Sequence, residues 1–352
     1  MTVEVGSTRV EVTAEQGPCR PGAVDVGGLE AGQTYEVYAS LPGRPRARVA
    51  VATTLRPPPG RLLARLATIS DLHLGETGFG ARGTMTEASP RPAGREPYPQ
   101  RCARAAVAEA GGWGAGLLVV KGDLTASSAP AEFHMAGALL AGAPMPVLAN
   151  LGNHDVRYGM LGKAILARYG IEAPAPAARD LPGLRVVLGH TPFPGHRQGR
   201  VGPAQRDRLA ELAAGAGGGA LVLVHHQPES HHLPRSYPPG VPARQAGRLM
   251  QALAEANPAT MVSAGHTHRC RRRDLASLVV TEVGSTKDYP GVWAGYAVHE
   301  GGIRQVVRRV AAHDAIAWTE RTRAALWGAW GRWAPGTIEQ RCFSHTWPDR
   351  QA

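Results

Sequence analysis

Five stretches of this chain end the same way: an apolar run of strand length stops at a residue able to hold a metal. RLATIS runs into Asp71-Leu72-His73, and GLLVVK into Gly122-Asp123. PVLANL runs into Gly152-Asn153-His154-Asp155, ALVLV into His225-His226, and ATMVSA into Gly265-His266-Thr267-His268. In open α/β sheets, ligands gather beyond the carboxyl ends of the strands, so tips that share an edge converge in space. The interspersed glycines let backbone approach a bound group. One strand ending in Asp or His reads as an ordinary turn or edge residue. Five together supply Asp, Asn and His donors with no thiolate, a donor set suited to Mn, Fe or Zn.

The rest of the chain fits a scaffold for such an edge. From Leu62 onward, β-like runs alternate with helical stretches, which predicts an α/β domain over 65–311. Segments 203–219 and 242–258 carry the Pro start and the Gly or Pro end that helices favour. Residues 1–56 instead alternate apolar and polar in short runs, which predicts a small β-rich domain, with a Pro-rich linker at 57–64. Within it, GLEAGQTYEVYA resembles the corner of fibronectin type III-like domains, and that resemblance implies that the Tyr35 hydroxyl closes the corner. The Gly/Pro-rich stretch around 76–100 is long for a connection and is expected as a lid, a binding loop or an insertion. Residues 312–352 are expected as a helical extension, with Trp327, Trp330 and Trp333 near one face and packed on the domain.

Composition selects a sign of partner. The 352 residues carry a formal net charge of +11, which attracts phosphorylated ligands, nucleic acid and anionic surfaces alike. The four cysteines stand far apart, so neither a disulfide framework nor a thiolate zinc site is expected. The N-terminus has no signal-peptide pattern and no apolar run is long enough to span a bilayer, so a cytoplasmic protein without a membrane span is expected.

Taken in order, DLH, GD, GNHD, VHH and GHTH resemble the pattern of the calcineurin-like metallophosphoesterase superfamily over roughly residues 65–310. In style they are nearest its cyclic-nucleotide phosphodiesterase-like branch. The resemblance implies a four-layer α-β-β-α sandwich with two mixed sheets, and two metal ions. Asp71, His73 and His268 would hold the first ion, Asn153, His225 and His266 the second, and Asp123 would bridge them. Two divalent ions, two carboxylates and a bridging hydroxide leave roughly one net positive charge to attract a phosphate. The hydroxide would attack the phosphate mono- or diester. His154 would stabilise the phosphoryl group or protonate the leaving oxygen, and Asp155 would orient the His154 ring.

Smaller expectations attach to neighbouring residues. His226 should point away from His225, and Thr267 away from His266 and His268, because side chains alternate along extended chain. Lys121 is expected in a salt bridge, and His231 and His232 on a solvated loop. The arginines of RCRRR are expected as a solvated or salt-bridged turn, with Arg269 able to reach a substrate phosphate. The expected partner is a small phosphorylated compound. A nuclease of the same fold is the alternative, though aromatic stacking platforms are sparse. A non-catalytic scaffold is the third reading, and the full ligand set speaks against it.

Overall fold

The computed structural model describes residues 1–11, 25–80, 83–87, 94–231 and 237–348. The N-terminal residues form one antiparallel sheet of β1 (Thr2–Val5), β2 (Thr8–Glu11), β3 (Thr34–Ser40) and β4 (Ala47–Thr53), in the order β2-β1-β3-β4. The Tyr35 hydroxyl accepts a hydrogen bond from the Glu30 backbone N–H at 3.0 Å, closing the turn before β3. The proline-rich stretch that follows is tied down at its end. The Gly301 N–H donates to the Pro59 carbonyl at 2.9 Å, and Arg61 pairs with Glu300 at 3.0 Å.

Two six-stranded mixed sheets follow. The first is ordered β18-β17-β16-β5-β8-β9. It is built from β5 (Leu62–Ile69), β8 (Leu118–Val120), β9 (Val147–Ala149), β16 (Val292–His299), β17 (Gly302–Arg309) and β18 (Cys342–Thr346). The second is ordered β10-β11-β12-β13-β15-β14. Its strands are β10 (Ala177–Leu181), β11 (Leu184–Leu188), β12 (Gly219–Leu223), β13 (Thr260–Ala264), β14 (Arg271–Leu275) and β15 (Leu278–Glu282). A small hairpin, β6 (Gly78–Phe79) with β7 (Met85–Thr86), lies in the long segment after His73.

Burial explains why the strands read as continuous apolar runs: both faces are covered. Leu66, Val119 and Leu148 of the first sheet share one apolar cluster with Val186, Leu221 and Met261 of the second. The other face of the first sheet packs on α1 (Tyr98–Gly112), α2 (Pro130–Ala141), α3 (Gly159–Ala167) and α6 (His313–Thr322). The other face of the second sheet packs on α4 (Pro203–Ala214) and α5 (Ala243–Ala256), the two helices predicted from Pro and Gly punctuation.

The last segment departs from its expected form. The helical pattern from His313 breaks at Leu326, Trp327 and Gly328, which take φ of 52°, 53° and 81°. Three successive left-handed residues cannot continue a right-handed helix. A short α7 (Ala329–Trp333) and α8 (Ile338–Arg341) follow, and β18 then returns to the edge of the first sheet beside β17. The tryptophans therefore do not form one face. Trp327 is 98% exposed, while Trp330 lies against Phe79 with ring centroids 5.9 Å apart. Among the described residues no helix is long and apolar enough to cross a membrane.

Candidate metal centre

Parallel pairing of β5, β8 and β9 in one sheet, and of β12, β13 and β15 in the other, sends all their carboxyl ends the same way. Beyond the strands the loops keep bonding to each other. The Asp71 N–H donates to the Gly122 carbonyl at 3.0 Å, the His73 N–H to the Asp123 carbonyl at 2.9 Å, and the Gly265 N–H to the His225 carbonyl at 3.0 Å. This zippering brings the five tips to one place.

The local backbone is strained there. Asp71, His73, Asp123, His266 and His268 all have positive φ, between 46° and 67°. Left-handed backbone costs a non-glycine residue about 1–3 kcal/mol, and such strain persists where the surrounding structure over-determines it. Two glycines are required by close approach. A Cβ on Gly152 would stand 2.1 Å from Asp123 Oδ1, and one on Gly265 would stand 1.9 Å from Ser70 Oγ.

Three imidazoles face two carboxylates, and a fourth histidine, His266, binds one of them through its main chain. The His225 Nδ1–H donates to the Lys121 carbonyl at 3.0 Å, which leaves Nε2 facing Asp123 Oδ2 at 3.3 Å and Asn153 Oδ1 at 3.2 Å. His73 Nε2 lies 3.5 Å from the same Asp123 oxygen. His268 binds Asp288 through Nδ1 at 2.6 Å and presents Nε2 to Asp71 Oδ1 at 3.5 Å. The His266 N–H donates to both Asp71 oxygens at 3.1 Å. The ring nitrogens His73 Nε2 and His266 Nε2 are buried and have no hydrogen-bond partner. An orphaned buried nitrogen is costly unless something occupies it, and a metal ion does so. Asp71, His73 and His268 form one group able to hold an ion, and Asp71, Asp123 and His225 another. The donor chemistry and the orphaned nitrogens thus fit a metal.

Electrostatics divide the four histidines. Burial, then Lys287, pushes His73 well below the usual imidazole value, and burial, then His225, does the same to His266. Both are therefore neutral, the state a ligand needs. Burial, the largest influence on His225, would lower it as well, but Asp123, with Asp71 and the Lys121 carbonyl, more than offsets it and raises it to about 9. Burial likewise opposes charge on His268, and Asp288 with Asp71 lifts it above its ordinary value.

His154 is exposed at the cleft, with its ring 4.6 Å from that of His73. Its Nδ1–H donates to the Ala126 carbonyl at 2.7 Å. That corrects the part expected of Asp155. The Asp155 oxygens accept from Gly152 N at 2.8 Å, Thr125 N at 2.9 Å, Thr125 Oγ1 at 2.7 Å and Leu124 N at 3.1 Å. Asp155 pins the two loops together and does not touch the His154 ring. Burial, then Asp123, raises its carboxyl to about 6.

Two further expectations change. His226 joins the group with His225 and His266, because β12 ends at Leu223 and strand alternation no longer applies. Its ring is held by Thr191 Oγ1 at 2.9 Å and the Arg197 carbonyl at 3.1 Å. Lys121 is fully buried and donates to Ser263 Oγ and the Ala264 carbonyl, neutral groups in place of a salt bridge. Burial lowers it to about 7. Thr267 does turn away, to Glu282 at 2.7 Å. His231 is exposed, and His232 lies outside the described residues.

The centre opens into a cleft of about 1090 Å³. Arg197, Tyr237 and Arg269 line one part of it, and Phe79, Trp330 and Trp333 another. Arg272 and Arg273 are otherwise engaged: one lies 4.1 Å over the Phe343 ring and the other pairs with Glu282 at 3.2 Å. Sequence reading missed Asp288 and Lys287, although the same rule reaches them. SLVVTEV is a sixth apolar run, its strand is parallel to β13, and Lys287-Asp288 follow its carboxyl end. Tyr237 and Trp330 had no comparable signal.

Known proteins resemble this chain in the same region. The family model for calcineurin-like phosphoesterases matches residues 64–270, more than half of the chain. A probable cyclic nucleotide phosphodiesterase of Rhodococcus erythropolis is 29% identical over 176 residues, 48% of this chain and 56% of that protein. A cAMP/cGMP dual specificity phosphodiesterase of Mycobacterium tuberculosis is 33% identical over 120 residues, 32% of this chain and 36% of that protein. This chain thus spans about half or less of the length of these curated relatives. A dimetal phosphatase of Danio rerio superposes with a TM-score of 0.53 at 14% identity, covering 71% of this chain and 97% of that one. A purple acid phosphatase from yellow lupin seeds does so with a TM-score of 0.50 at 14% identity, covering 89% and 67%. At these identities the two structures speak for the fold alone. By the extent of the family match and the order of its motifs, the chain belongs to the calcineurin-like phosphoesterase family.

Proposed function

We propose that this chain hydrolyses a small phosphate mono- or diester at two metal ions held by the strand tips. The observation that carries the reading is the convergence of the His73, His225 and His268 rings and the His266 main chain on Asp71 and Asp123, with two buried ring nitrogens left unpartnered. Asp71, His73 and His268 would hold one ion and Asn153, His225 and His266 the other, with Asp123 shared between them. The oxygen and nitrogen donors suit Mn, Fe or Zn. When bound, such ions lower the pKa of water and polarise a phosphoryl oxygen. The scaffold is read as a four-layer α-β-β-α sandwich over 65–311, preceded by a fibronectin III-like module over 1–56.

The chain's own residues do the rest. His154 donates from Nδ1 to the Ala126 carbonyl, so its Nε2 is the nitrogen left to act. In the protonated ring, Nε2–H stabilises the phosphoryl oxygen or delivers its proton to the leaving oxygen. Asp155 holds the Gly152–Asp155 loop against Thr125, which fixes where that ring stands. The relatives named as cyclic nucleotide phosphodiesterases make cyclic nucleotides the first substrates to try.

Purified protein with Mn, assayed on bis-p-nitrophenyl phosphate, p-nitrophenyl phosphate and cyclic AMP, tests the reading. Metal-dependent turnover that disappears in Asn153→Ala is expected. Absence of metal-dependent turnover on all three, or full activity in that variant, would contradict it.

A further inference from the structure

Arg269 immediately follows the proposed ligand His268 and is 8% exposed. Among the described residues no carboxylate lies within salt-bridge distance of it. One guanidinium nitrogen donates to the Tyr237 carbonyl at 3.2 Å, while Nε is buried without a partner. A buried cation without a paired anion is costly. The chain has carboxylates to spare elsewhere: Arg101 pairs with Glu87 at 2.6 Å, and Arg309 with Glu320 at 2.8 Å. Arg269 instead faces the cleft that holds the metal centre.

A second arginine is linked to it. Arg197, on the loop before α4, donates to the Tyr237 hydroxyl. Tyr237 thus takes one guanidinium on its carbonyl and the other on its hydroxyl, and all three residues line the same cleft. Two guanidinium forks beside a bimetal phosphate site match the oxygens of an additional anionic group.

Building on the proposed phosphoesterase reading, we propose that Arg269 and Arg197, tied together by Tyr237, form a second anion subsite. The natural substrate then carries a second phosphate-class anion besides the phosphate bound at the metals. This subsite distinguishes doubly anionic substrates from simple monoanionic diesters.

Binding tests this apart from catalysis. Calorimetry on the Mn-loaded full chain compares thymidine 5′-phosphate with thymidine 5′-diphosphate and thymidine 3′,5′-bisphosphate. At least one doubly phosphorylated probe is expected to bind at least about tenfold tighter than the monophosphate, as charge-assisted hydrogen bonds provide. In R269Q that advantage falls to within about twofold, and in R197Q, at an exposed position, it falls by roughly threefold. R269K, which keeps the charge and loses the fork, retains part of the advantage and guards against a folding artefact. Two results would overturn the subsite: neither probe binding more than twofold tighter in the wild type, or the advantage surviving R269Q. A chain that shows the advantage yet turns over no ester would refute the phosphoesterase reading and leave the subsite standing.

Discussion

The cleft has two unlike walls. One is made of strand tips, where five residues sit in left-handed backbone and the loops bearing the candidate ligands bond to one another through main chain. The other is made of the small hairpin at Phe79 and the broken helix at Trp330 and Trp333, with side chains half-buried or exposed. The first wall spends conformational energy to hold atoms in place. The second presents aromatic area with little holding it. Strain of the first kind belongs where geometry decides chemistry, and looser packing of the second kind belongs where a substrate is accommodated.

The contrast predicts graded effects. His154→Ala, on the strained wall, should lower kcat about 100- to 10 000-fold on esters with poor leaving groups. With p-nitrophenol, which leaves without a proton, the loss should be smaller. Equal losses on both would assign His154 to phosphoryl stabilisation and remove the proton-donor role. Asp288→Asn weakens the partner that orients His268 and should cost roughly 10- to 100-fold in Mn affinity. An unchanged Mn titration would show that Asp288 serves only the ion pair with Lys287. Trp330→Ala, on the looser wall, should raise KM roughly three- to tenfold and leave kcat within about twofold. A collapse of kcat in that variant would mean that the aromatic wall positions the chemistry, and the contrast between the walls would fail.

The strained wall was legible in the sequence and the looser one was not, for a physical reason. A strand buried on both faces must be apolar, and a metal ligand at its tip must be Asp, Asn or His, so both leave a mark in local composition. That rule singles out Asp71, His73, Asp123, Asn153, His225, His266 and His268, which the fold brings to one place, and it extends to Asp288. Asp155 departs from its expected part because sequence adjacency to His154 says nothing about where its oxygens point; the fold sends them to Thr125, Leu124 and Gly152. The helix expected through Trp327 ends because three successive residues there take left-handed backbone, which the helical sequence pattern does not reveal. The return of residues 342–346 as an edge strand, and the meeting of Phe79 with Trp330, depend on long-range contacts that no local pattern encodes.

Titration with Mn tests the central claim most directly, because it counts ions and reads protons together. The wild-type chain should bind two ions, and Asp123→Ala, which removes the oxygen between His73 and His225, should bind fewer. His225, raised to about 9, and His268, also raised, must lose protons to become ligands, so affinity should strengthen as pH rises from about 6 toward 9, with protons released on binding. Two ions in the wild type, fewer in Asp123→Ala and tighter binding with rising pH are the predicted result. No Mn binding by the wild type, or undiminished loading of the Asp123→Ala variant, would contradict it.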